Sequence, residues 1–218
     1  KVGLPIGVAI FFEVSLFTAI ALFLADLGPV VVAGHQVALN VASVTFMLPL
    51  SLGMAMTVRV GHHLGSTAEG QTGTQDAKRS SWLGVKLNLG LALFNAVLIT
   101  LFAGFIANLY SPDPAVVAIG TSLLFFAALF QISDAIQIAA AGALRAYEDT
   151  FAVMLITFVA YWLIGFGSGW YLAYEASEPM GAAGFWIGLI IGLTFAAVAL
   201  VARLMSISNR AETIIEKM

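Results

Sequence analysis

Six stretches of this chain are apolar and long enough to cross a lipid bilayer, at about 4–25, 32–58, 82–109, 115–143, 151–174 and 181–205. The hydrocarbon core of a bilayer is about 30 Å thick, which about 20 helical residues span. Inside it the backbone must satisfy its own hydrogen bonds, so only helices and closed barrels cross. Runs of this length read as helices, since a barrel strand needs only about 10 residues. The expected fold is therefore all-α and integral to the membrane, a bundle of six transmembrane helices. Composition agrees. Hydrophobic residues make up 61% of the chain and charged ones only 10%, against about 25% charged in soluble domains. There is no cysteine, which excludes disulfide scaffolds, thiolate metal sites and cysteine nucleophiles.

Helix breakers separate the spans. Gly28-Pro29 ends the first, and Ser111-Pro112-Asp113-Pro114 divides the third from the fourth. Glu178-Pro179 precedes the sixth, and the latter two patterns each offer a cap followed by a helix-starting proline. The segment from Arg59 to Ser81 reads as one long hydrophilic loop, rich in Gly, Thr, Gln and Ser. Residues 1–206 then form a single six-helix membrane unit, and 207–218 a cytoplasmic tail. The chain opens Lys1-Val2-Gly3-Leu4-Pro5, without methionine, straight into a helix too long for a signal peptide. It reads as a piece of a longer polypeptide.

Basic residues assign the orientation. Lys1, Arg59, Lys78, Arg79, Lys86, Arg145, Arg203, Arg210 and Lys217 all fall on one face, whereas the opposite loops hold only Asp26, Asp113, Glu175 and Glu178. By the positive-inside rule that face, with both chain ends, is cytoplasmic. Other features point to structure rather than chemistry. Gly184, Gly188 and Gly192 form a double GxxxG suited to close helix packing, and Pro49 is placed to kink the second helix. His62 and His63 are adjacent and lack neighbouring ligands, so they read as solvated. Gly165-Phe166-Gly167-Ser168-Gly169 lacks the last glycine of a dinucleotide fingerprint and lies in an apolar helix.

Two acids, Glu13 and Asp134, lie well inside apolar spans. Charge at bilayer depth costs several kcal/mol, so such residues face the bundle interior and are functional candidates. Glu13 is about ten residues, or roughly 15 Å, from the start of its helix, and Asp134 about ten from the inner end of its own. Both therefore sit near the midplane, where transporters place substrate and ion sites. No basic residue is expected at that depth, because Lys86 and Arg145 can snorkel to the inner boundary. The acids then bind a cation or exchange a proton. The alternative is that each is protonated and hydrogen-bonded to Gln36, Asn40 or Gln137. Gln36, Asn40 and Ser43 share a face of the second helix, and Asn88 and Asn95 lie seven apart on the third.

These residues carry a resemblance that spans essentially the whole chain. Leu4-Pro5 with Phe11-Phe12-Glu13-Val14, Gly34-His35-Gln36-Val37-Ala38-Leu39-Asn40 and Arg59-Val60-Gly61-His62 resemble the multidrug and toxic compound extrusion (MATE) family, NorM-type pumps in particular. So do Phe130-Gln131-Ile132-Ser133-Asp134-Ala135-Ile136-Gln137, Ala141-Gly142-Ala143-Leu144-Arg145-Ala146-Tyr147 and Gly181-Ala182-Ala183-Gly184-Phe185-Trp186.

The likeness is to the second half of such a protein. It implies the C-terminal lobe of a twelve-helix bacterial inner-membrane antiporter, not an enzyme. Such pumps expel organic cations in exchange for sodium ions or protons along a path between two lobes. The partners implied are an N-terminal six-helix lobe, the bilayer and organic cations, with no nucleic acid and no cofactor besides the coupling Na+ or H+. The resemblance assigns the coupling cation, as Na+ ligands if sodium drives the pump, to Glu13 and Asp134. Gln36, Asn40, Phe130 and Gln137 are candidate lining residues, and Phe130 stands where some relatives carry a tyrosine. Two other classes compete. An intramembrane aspartyl protease wants two aspartates, one in a Gly-x-Gly-Asp setting that Ile132-Ser133-Asp134 does not provide. The other is a non-catalytic subunit of a larger membrane complex.

Overall fold

The computed structural model describes residues 3–66 and 73–216 and consists of long helices packed side by side. Helix α1 (Gly3–Leu24) ends in a single 3-10 turn, Ala25–Leu27, and then Gly28. The φ of 97° at Gly28 is a backbone angle open mainly to glycine, and it turns the chain directly into α2 (Pro29–Ser66). Next come α3 (Gly73–Tyr110) and α4 (Pro114–Ala146). The Asp113 side chain accepts from the Ala115 N–H at 2.9 Å with Pro114 as the first helical residue, which is the cap and proline start read from the sequence. Helix α5 (Thr150–Glu175) is α-helical to Phe158, widens into π turns over Val159–Phe166, narrows at Gly167–Trp170, and widens again over Tyr171–Glu175. Helix α6 is Ala182–Glu216.

All six helices are long and apolar enough to cross a membrane. Their ends differ from the sequence reading in three places. The expected loop from Arg59 to Ser81 is largely helical, because α2 runs to Ser66 and α3 begins at Gly73. A hydropathy reading ends a span where polar side chains begin, yet helical hydrogen bonds do not need apolar side chains. At 1.5 Å per residue a helix of 38 residues is about 57 Å long, far more than a bilayer core requires. For the same reason α6 continues through most of the expected tail. The Glu178-Pro179 pair does not start α6, since the chain first turns at Gly181 (φ 55°) and the helix opens at Ala182. Lys1 and Lys217 of the basic set lie outside the described residues.

Helix α4 is the hub, packed against α2, α3 and α6, while α1 leans on α5 and barely touches α2. The α1–α5 seam has two polar ties: Trp162 Nε1 donates to the Phe12 carbonyl at 3.3 Å, and Tyr174 Oη to that of Phe23 at 2.7 Å. The glycines of α6 serve the packing expected of them. A methyl group at Gly184 would lie 2.6 Å from Ala173 N and one at Gly192 2.8 Å from Gly165 Cα, and at Gly188 it would collide with Gly169. The backbones of α5 and α6 are thus in direct contact. Outward, α3 presents Phe94, Leu101 and Phe105, each at least 60% exposed. In water such a face would drive aggregation; in hydrocarbon it is an ordinary exterior.

Candidate functional site

Because α1 leans toward α5, a gap is left between α1, α2 and α4, and it forms a cavity of about 470 Å³. Most of its lining is apolar, with Phe17 of α1 and Phe130 of α4 edge to face, ring centroids 6.1 Å apart. Gln36, Ser43 and Met47 line it from α2. Both acids reach it, Glu13 from α1 and Asp134 from α4. A concave apolar surface with a few convergent polar groups is the usual form of a small-molecule site.

Asp134 is only 3% exposed. It lies close enough to Glu13 for the two charges to act on each other. Among the described residues neither carboxyl accepts a hydrogen bond or forms a direct ion pair. The alternative in which Gln36, Asn40 or Gln137 satisfies them is therefore not the arrangement found. One expectation needs correction, because Arg145 is not remote from the acids: its charge acts on Glu13. Helix α4 carries both Asp134 and Arg145.

Of the six residues singled out in the sequence, Glu13, Asp134, Gln36 and Phe130 meet in the cavity. Asn40 is exposed on α2 and is not part of the lining. Gln137 is buried, and its Oε1 accepts from Tyr161 Oη at 2.9 Å. Ser43 lines the cavity, but its hydroxyl donates to the Leu39 carbonyl one turn back. Asn88 and Asn95 are buried on α3 and are not part of the lining, and Asn88 donates to the Gly84 carbonyl. His62 and His63 lie near the end of α2, their rings 6.1 Å apart; among the described residues no group of three metal-ligating side chains forms.

Sequence reasoning assigned no role at the site to Tyr161 or to Trp186, the latter named only within the segment 181–186. A phenol at bilayer depth needs a hydrogen-bond partner, and that requirement was a usable signal for Tyr161. Trp186 is fully buried; its Nε1 donates to His35 Nδ1 at 3.3 Å and its ring backs Phe130 at 5.8 Å. It supports the cavity wall from behind.

Comparison with known proteins places this chain in a family. The MatE family profile matches residues 5–171. The chain is 50% identical over 211 residues to the multidrug resistance protein PmpM of Pseudomonas aeruginosa, covering 96% of this chain and 43% of that protein. It is 47% identical over 206 residues to the multidrug resistance protein NorM of Vibrio vulnificus, covering 94% of this chain and 44% of the relative. The chain thus spans less than half the length of these curated relatives. Among solved structures it superposes on the eukaryotic MATE transporter AtDTX14 with a TM-score of 0.84 at 22% identity, covering 98% of this chain and 48% of the other. The Vibrio cholerae MATE transporter VcmN in its bent form matches at a TM-score of 0.79 and 18% identity, with coverages of 97% and 46%.

Proposed function

The chain belongs to the MatE family, and from that membership we propose that it is the C-terminal lobe of a multidrug antiporter, with Glu13 and Asp134 as the coupling-cation site. The observation that carries this reading is the convergence of two carboxyls in one mostly apolar cavity between long apolar helices. Two negative charges repel strongly in a medium of low dielectric, and a sodium ion or a proton between them relieves that repulsion. An organic cation entering the cavity draws on the same negative charge through flat aromatic and aliphatic walls. Coupling ion and drug then compete for one electrostatic resource, which is the requirement for exchange.

A single lobe holds such a site but cannot alternate its exposure between the two sides. That takes a second lobe moving against the first, so the proposed partner is an N-terminal six-helix lobe, with the drug path between the two. Helix ends rich in Lys and Arg face the cytoplasm of the bacterial inner membrane in this reading. The aspartyl-protease alternative has little to support it, since the partner of Asp134 in the cavity is a glutamate. The test is efflux of a fluorescent organic cation from proteoliposomes holding the native polypeptide that carries this chain. Efflux is expected to require an imposed sodium or proton gradient. Equal rates with and without either gradient would exclude antiport.

A further inference from the structure

Tyr161 approaches the two acids from the α5 side, whereas the cavity opens toward α2. Its level is fixed from two directions. On α1, the Phe12 carbonyl takes the Trp162 N–H at 3.3 Å, and the Phe12 ring packs on Phe158 at 4.9 Å. These contacts hold the Tyr161 segment of α5 against the Glu13 segment of α1. On α4, Tyr161 Oη donates to Gln137 Oε1 at 2.9 Å, and Gln137 lies three residues after Asp134, on an adjacent position of the same helix face. Both carboxylates act electrostatically on the phenol.

The chemistry of the hydroxyl completes the argument. A tyrosine has one O–H to donate and lone pairs to offer. With its proton directed to Gln137, the oxygen keeps its lone pairs for a third group. The phenol is 3% exposed and lies in the widened π segment of α5, a feature that recurs at functional sites. Phe130, on the cavity wall, offers a ring and no oxygen. Arg145 acts on Glu13 and Tyr161 but is not among the charges acting on Asp134.

We propose that Tyr161 is a further ligand of the coupling site, its phenol oxygen giving a lone pair to a sodium ion held by Glu13 and Asp134, with Gln137 orienting it. Oxygen donors of this kind suit a hard cation. The inference rests on the antiporter reading above and narrows it to sodium.

The experiment is saturation binding of radioactive sodium to the purified native polypeptide that carries this chain, beside its thermal midpoint in sodium-free detergent buffer. Tyr161→Phe keeps the ring and removes the oxygen. It is expected to weaken sodium binding about tenfold, in line with losing one contact to a charged group, while its midpoint falls no further than that of Gln137→Leu, which breaks the same hydrogen bond. Gln137→Leu, which frees the hydroxyl to rotate, is expected to weaken binding less. Parent-like sodium affinity in Tyr161→Phe overturns the proposal, as does a loss of sodium binding no larger than that of Gln137→Leu, which marks a packing role. Absence of saturable sodium binding in the parent overturns it too, and leaves the antiporter reading standing with a proton. Asp134→Asn separates the two claims: if that variant binds sodium like the parent, the carboxylate site itself is wrong.

Discussion

Asp134 and Glu13 carry the same charge but have different company. Arg145 acts on Glu13, while the charge acting on Asp134 among the described residues is that of Glu13. Asp134 is therefore the carboxylate with most to gain from a bound cation, and Glu13 the one already partly compensated. Glu13→Gln should lower gradient-driven efflux without abolishing it and weaken the dependence on the coupling ion. Rates equal to the parent at limiting ion concentration would remove Glu13 from the site. The sequence made both acids legible, because an ionised group in an apolar run has few reasons to be there. It did not reveal that the Arg145 charge acts on Glu13, that Asn40 stands outside the cavity, or that Gln137 is taken by Tyr161. Those facts depend on how helices are rotated and tilted against one another, which spacing along one helix does not specify.

The helices themselves show which physical signals survive in a sequence. Six of them were readable because a bilayer imposes a length that hydropathy records directly. Their ends were not, since Arg59, Lys78 and their neighbours continue the helix after the apolar stretch stops. Nor did spacing announce the π turns of α5, which accompany its contact with α6. The glycine triplet, in contrast, was legible as a packing stripe, and the structure shows backbone against backbone there. Gly188→Leu should therefore block assembly of α5 on α6, because the obstructing atoms belong to the backbone and cannot rotate away. Gly104→Ala on α3, where a methyl group meets nothing within 4 Å, should be neutral. Comparing recovery of monodisperse protein in detergent checks both, and equal recovery would refute the packing account.

For the whole molecule, the topology places the ends of α2, α4 and α6 at one end of the bundle, together with the starts of α3 and α5. That end holds the described Lys and Arg residues, and in the proposed orientation it faces the cytoplasm. A cysteine at Ser66, the last residue of α2, should react with impermeant thiol reagents from the cytoplasmic side alone. One at Ser177, exposed between α5 and α6, should react from outside, and the reverse pattern would invert the assignment.

The central claim is that Asp134 couples an ion gradient to export. The direct measurement is organic-cation efflux from proteoliposomes under an imposed sodium or proton gradient, comparing the parent with Asp134→Asn. Asparagine keeps the shape and hydrogen-bonding capacity and removes the exchangeable charge. The account predicts that the variant folds and inserts normally but loses gradient-driven efflux. Parent-like efflux with the same ion dependence would contradict it and leave Asp134 a structural residue.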